Sequence, residues 1–187
     1  NRAILVDDPV ASFRFVESYK KLAAKVDYRM AKENRKVLVI TSVSENEGKS
    51  TVAANLAITL AEQSKKVLLI DGDIRRPSQF LILGMEPKDE NELGEYLKGN
   101  GTFKDIIMTC PRKHMLFIGG KNCYSTSTEL LSSDSFSKLV KTCRKMVDYI
   151  IIDTPPIGLI GDAQLFAHHA DAVMIIARQN YMLAEDI

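Results

Sequence analysis

Apolar positions along the chain fall into two kinds of run. Short blocks without polar interruption occur at Val37-Leu38-Val39-Ile40-Thr41, Val67-Leu68-Leu69-Ile70-Asp71, Met115-Leu116-Phe117-Ile118, Tyr149-Ile150-Ile151-Ile152-Asp153 and Ala172-Val173-Met174-Ile175-Ile176-Ala177. Such blocks predict strands buried on both faces, because a strand with one face in water alternates apolar and polar residues. Longer stretches instead space their apolar residues at helical intervals. Phe13, Val16, Tyr19, Leu22, Ala23 and Val26 form a stripe within residues 9–32. Val52, Ala53, Leu56, Ala57, Leu60 and Ala61 form another within 49–63, which predicts a helix buried along one side. Residues 92–98, 134–146 and 162–168 predict further helices, and the charged run Lys32-Glu33-Asn34-Arg35-Lys36 separates the first helix from the first strand.

Strand, loop, helix and strand in succession make a βαβ unit, and such units build parallel sheets through right-handed crossovers. The fold class expected is α/β, with a mostly parallel central sheet flanked by helices. No repeat, low-complexity tract or linker divides the chain, so residues 1–187 are expected to form one domain, with an N-terminal helical segment over 1–35.

Composition mainly removes alternatives. A formal net charge of +1 provides no global field for nucleic acid, so no nucleic-acid partner is expected. Cys110, Cys123 and Cys143 are odd in number and scattered, which reads as reduced thiols and not as a disulfide framework. His114, His168 and His169 lack zinc-ligand spacing, so no metal site built from protein groups alone is expected. No segment approaches the roughly 20 apolar residues that span a bilayer. A start at Asn1 instead of Met reads as a fragment or processed chain, so any membrane link is expected from upstream sequence or a partner.

Three strand ends carry candidate chemistry. Thr41-Ser42-Val43-Ser44-Glu45-Asn46-Glu47-Gly48-Lys49-Ser50-Thr51 lies between a strand and a helix, the setting of a P-loop. A phosphate chain is polyanionic and calls for backbone N–H groups, a helix N-terminus and a cation. Glu47, Gly48, Lys49, Ser50 and Thr51 are the candidate nucleotide-binding residues, with Lys49 reaching the terminal phosphates and the Ser50 hydroxyl on magnesium. The usual first glycine is replaced by Val43, and Asn46 stands where positive φ is needed, a conformation asparagine tolerates. The second end, Asp71-Gly72-Asp73-Ile74-Arg75-Arg76-Pro77, puts two acids at the carboxyl edge where open α/β sheets bind ligands. The third, Asp153-Thr154-Pro155-Pro156, places an acid where P-loop proteins hold magnesium. Alone, the first also reads as a chance Gly-Lys-Ser in a solvated loop and the other two as strand punctuation, since Asp, Gly and Pro end strands. Their occurrence together, in this order, favours a site for ATP or ADP with Mg²⁺.

Glu47-Gly48-Lys49-Ser50-Thr51, Leu69-Ile70-Asp71-Gly72-Asp73-Ile74-Arg75-Arg76-Pro77 and Ile151-Ile152-Asp153-Thr154-Pro155-Pro156 together resemble the Walker A, A′ and B motifs of the bacterial tyrosine kinases of capsular and exopolysaccharide export. The resemblance runs through nearly the whole chain and implies a P-loop NTPase-like fold of the MinD/ParA-related branch. It implies an autophosphorylating protein-tyrosine kinase in which Lys49 stabilises the moving phosphoryl group. Ser50, Asp71 and Asp153 would serve the metal, and Asp71 and Asp73 would orient or deprotonate the tyrosine. The family also implies a transmembrane activator or chain-length determinant, separate in Gram-positive forms and fused upstream in Gram-negative ones. It further implies a second copy of the chain as substrate and a cytoplasmic place at the inner membrane face.

The sequence departs from that pattern at several positions. Family P-loops usually read Pro-Gly-Glu-Gly-Lys-Ser where this one has Glu45-Asn46-Glu47-Gly48-Lys49-Ser50. The oligomerisation motif Glu-x-x-Arg-x-x-Arg is reduced to Glu17, Lys20 and Ala23, and lysine cannot copy arginine's bidentate fork. Tyr124-Ser125-Thr126-Ser127-Thr128 replaces a proline-rich segment, and the family's tail of clustered tyrosines is missing. Two other functions stay open on the residues alone. One is a MinD/ParA-like ATPase switch, whose extra P-loop lysine is Ser44 here. The other is a nucleotide-binding regulator without catalysis.

Overall fold

A computed structural model of the chain describes residues 3–86, 92–112, 114–157, 165–166 and 168–179. Helix α1 (Phe13–Lys32) begins where the Ser12 hydroxyl accepts a bond from the Phe15 N–H at 3.2 Å, and it ends with Arg29 and Lys32 against its negative pole. There follow β1 (Val37–Ser42), α2 (Lys49–Glu62), β2 (Val67–Asp71) and three short helices, α3 (Gln79–Leu83), α4 (Leu93–Leu97) and α5 (Phe103–Ile106). The chain continues through β3 (Met108–Thr109), β4 (Met115–Ile118), α6 (Ser127–Leu131), α7 (Asp134–Cys143), β5 (Tyr149–Asp153) and β6 (Ala172–Ile176).

The six strands form one sheet in the order β3-β4-β2-β5-β1-β6, parallel throughout except for the β3–β4 pair. Alternate residues of each central strand serve opposite cores. Leu38, Ile40, Leu69 and Ile151 pack with buried residues of α1, α2 and α3. Val37, Val39, Leu68, Ile70, Ile150 and Ile152 pack with residues of α4, α6 and α7, Phe136 and Leu139 among them. Helices on both faces explain why these strands read as unbroken apolar runs.

Three expectations change. Helix α2 is not buried along one side only, because every residue from Ala53 to Ala61 is buried. The segment before α1 covers its outer face, with Asn55 accepting from the Val6 N–H at 2.7 Å and donating to the Ile4 carbonyl at 3.0 Å. Strand β6, expected as buried, is an edge of the sheet among the described residues, paired there to β1 alone, and its Val173 and Ile175 are 51% and 44% exposed. Within α1 the core residues are Ala23, Val26 and Met30, while Phe13 is exposed. The helix expected over 162–168 lies mostly outside the described residues. No helix among the described residues is long and apolar enough to cross a membrane.

Candidate nucleotide site at the carboxyl edge of the sheet

The three sequence candidates converge because β2, β5 and β1 are neighbours in the sheet. Asp71 and Asp153 end β2 and β5 in paired register, and the loop after β1 runs into α2 beside them. Gly72 permits the close approach, since a Cβ there would lie 2.8 Å from both the Asp153 carbonyl and the Phe166 ring, and its N–H donates to that carbonyl at 2.7 Å.

The loop has the conformation that phosphate cradles need. Gly48 has φ +91° with open space around its Cβ position, so glycine is required there by backbone conformation and not by crowding. Asn46 has φ 63°, the positive value expected for it. The loop braces itself: the Ser42 hydroxyl donates to the Ser44 carbonyl at 2.7 Å, and Glu47 accepts from the Ser44 N–H at 2.8 Å and the Arg178 N–H at 3.3 Å. The buried Glu47 carboxylate is thus occupied in shaping the loop, which leaves its backbone to face a ligand. No side chain caps α2, so the positive end of a 14-residue helix opens into a cavity of about 370 Å³ lined by Asn46, Gly48, Lys49, Ser50, Thr51 and Asp73.

Behind the cavity lies a buried polar cluster. Asp71 is fully buried and its Oδ2 accepts from the Ser78 and Gln79 N–H groups, both at 2.9 Å. Asp153 Oδ2 accepts from Gln79 Nε2 at 2.8 Å. The Lys49 ammonium lies 3.5 Å from Asp73 Oδ2 and 3.8 Å from Asp153 Oδ1, and donates to the Ser50 hydroxyl at 3.1 Å. Burial, and then the charge of Asp153, push the Asp71 carboxyl well above the usual range. Burial raises Asp153 as well, against the opposing pull of Lys49.

Among the described residues, three buried acceptors, Asp71 Oδ1, Asp153 Oδ1 and Gln79 Oε1, have no hydrogen-bond partner. An orphaned buried acceptor costs about 1–3 kcal/mol, more for a charged group, so three together mark a place where donors are expected. Water held on a magnesium ion supplies such donors, and the residues present fit that ion. Among the described residues no group of three or more His, Cys, Asp or Glu side chains is placed to hold a metal. Phosphate oxygens and water would therefore complete the shell begun by Ser50.

The structure brings together all the sequence candidates: Gly48, Lys49, Ser50 and Thr51 at the cavity, Glu47 beneath it, and Asp71, Asp73 and Asp153 behind. It adds Ser78 and Gln79, which an isolated Ser-Gln after a proline does not announce. Arg75 is tied by its Nε to the buried Ser127 hydroxyl, joining the second motif to α6. A second cavity of about 570 Å³ adjoins the first and is lined by Asp73, Arg75, Arg76, Tyr124 and Pro155.

Sheet order, loop and strand-end acids define a P-loop α/β protein of the MinD-related branch. Comparison with known proteins narrows this. Residues 36–186 match the AAA domain family. The chain is 33% identical over 180 residues to tyrosine-protein kinase CpsD of Streptococcus agalactiae, covering 95% of this chain and 75% of that kinase. The kinase domain of Escherichia coli tyrosine kinase ETK superposes with a TM-score of 0.88 at 27% identity, covering 97% of this chain and 69% of the other. The septum site-determining protein MinD of Pyrococcus horikoshii, in complex with Mg-ADP, reaches 0.66 at 25% identity, covering 76% of this chain and 57% of the other. The chain belongs to the bacterial tyrosine kinase family.

Proposed function

We propose that this domain transfers the γ-phosphoryl group of magnesium-bound ATP to tyrosine hydroxyls, those of a second copy of the chain included, in the control of capsular or exopolysaccharide synthesis. The observation that carries the reading is the trio of orphaned buried acceptors beside Lys49, at the foot of a P-loop.

Each residue then has a role. Backbone N–H groups of the loop and the start of α2 receive the phosphates, and Lys49 leaves Asp73 and Asp153 to neutralise charge on the moving phosphoryl group. Magnesium, when bound, neutralises and aligns the phosphate oxygens; Ser50 would ligate it, and Asp71 and Asp153 would hold its water. Asp73 lines both cavities, whereas Asp71 is sealed from solvent and already accepts two backbone bonds. That contrast favours Asp73 as the group that meets the tyrosine hydroxyl in the larger cavity. A bond forms from the tyrosine oxygen to the γ-phosphorus as the bridging bond to the β-phosphate breaks; the phenolic proton passes to Asp73 and ADP departs.

The chain is proposed to work with a transmembrane activator at the inner face of the membrane. The family resemblance supports this.

The test is incubation with radiolabelled ATP, magnesium and the activator, followed by phosphoamino-acid analysis. Labelled tyrosine is expected. Free phosphate with no labelled tyrosine would move the protein to the class of ATPase switches.

A further inference from the structure

We infer that Gln79 is a positioning residue for the metal: it fixes the Asp153 carboxylate with its amide nitrogen and presents its amide oxygen to metal-bound water. This rests on the magnesium-nucleotide reading above and extends it to a side chain that none of the three motifs contains.

Chemistry fixes the orientation of the amide. Its nitrogen lies 2.8 Å from Asp153 Oδ2 and 2.9 Å from the Ser50 carbonyl, and its backbone N–H lies 2.9 Å from Asp71 Oδ2. A backbone carbonyl can only accept, so the NH₂ must face Ser50 and, with it, Asp153 Oδ2. The oxygen is then left over, buried and without a hydrogen bond among the described residues, as is Asp71 Oδ1; Asp153 Oδ1 likewise lacks a hydrogen bond and has only the Lys49 ammonium 3.8 Å away. One residue thus contacts all three elements of the site: its amide reaches the first turn of α2 and the end of β5, and its backbone N–H reaches the end of β2. A glutamine placed only for packing would have no reason to keep its oxygen empty at the cost of a buried acceptor. Donation to Oδ2 also leaves Oδ1 as the oxygen of Asp153 free to receive a water proton. Groups that orient metal-holding carboxylates in this way typically change metal affinity about 10- to 100-fold when removed.

The test compares ADP affinity with and without saturating magnesium, by calorimetry, in the wild type and in Gln79→Met, which keeps the volume and removes both polar atoms. The magnesium-dependent gain in ADP affinity is expected to fall about tenfold or more, while metal-free ADP affinity stays within about twofold. Gln79→Ala serves as a second variant should the methionine chain fail to fold. An unchanged magnesium gain in a folded variant would overturn the inference. So would an equal loss of affinity with and without magnesium, which marks a merely structural glutamine. A wild type with no magnesium gain would overturn the magnesium reading itself and this inference with it, and the two failures are therefore distinguishable.

Discussion

Asp171 and Asp71 stand at opposite edges of one sheet, and their surroundings differ in what has been left undone. At the amino edge, Asp171 Oδ2 accepts from the Lys36 and Val37 N–H groups at 2.7 and 2.9 Å, and Arg144 grips the carboxylate with bonds of 2.9 and 2.7 Å. Burial pushes its carboxyl upward, but hydrogen bonds from Arg144 and those two N–H groups outweigh it and hold the carboxyl below the usual range. Asp148, before β5 on the same edge, accepts from the Lys66 N–H at 2.8 Å. At the carboxyl edge, Asp71 and Asp153 are more deeply buried, end paired strands in register, and each retains an oxygen without a hydrogen bond among the described residues. The first arrangement serves the fold. The second opposes it, since buried like charges and orphaned acceptors destabilise the free protein, and such a sacrifice is characteristic of functional sites.

The comparison predicts which substitutions act on chemistry and which on stability. The largest effect is expected from Lys49→Met, which should lower tyrosine labelling by about 10³-fold or more and weaken ATP binding, because the cation facing the phosphates is lost. Unchanged labelling would remove the P-loop assignment. Asp71→Asn should lower the transfer rate by about 10²-fold with a smaller loss of ADP affinity, as steady-state kinetics and calorimetry can resolve. An equal loss in both would make Asp71 structural.

Substitution at the amino edge should reverse the pattern. Asp171→Ala is expected to leave transfer within about twofold and to lower the unfolding free energy by about 2–3 kcal/mol in urea titrations, through lost charge-assisted bonds. The pH dependence has a definite sign. A carboxyl lowered by folding contributes stability that is complete above the unfolded aspartate range and vanishes as pH falls through the lowered folded value. The stability gap between wild type and Asp171→Ala should therefore be full at neutral pH and close in acid. A gap that widens in acid would contradict the role given to Arg144. The smallest effect belongs to Glu45→Ala. Its pair with Arg76, 2.5 Å apart at the mouth of the cavity, is exposed, so stability should change by less than about 0.5 kcal/mol.

Much of this contrast was legible in the residues. Val37–Ile40, Val67–Ile70 and Tyr149–Ile152 read as doubly covered strands because they are, and Asp71 and Asp153 stood out as acids closing apolar runs. Asn46 revealed its positive φ because few other residues accept it. What escaped depended on contacts between distant segments. Strand order is not written in a strand's own composition, so β6 reads as a buried strand like the others. The outer face of α2 is covered by residues 4 and 6 through Asn55, which no helical periodicity encodes. The burial of Gln79 arises where α3 meets the ends of β2 and β5, and a single polar residue in a five-residue helix leaves no pattern to detect.

The most direct measurement is thermal unfolding of wild type and Asp71→Asn, each with and without magnesium and ADP. If the carboxyl edge sacrifices stability for ligand binding, Asp71→Asn should melt about 3–6 °C higher than wild type in the free state, corresponding to about 1–2 kcal/mol from removing a carboxyl whose ionisation burial and Asp153 oppose. It should also lose most of the additional stabilisation that magnesium confers with ADP. A lower melting temperature in the free variant, or an undiminished response to magnesium and ADP, would contradict the account.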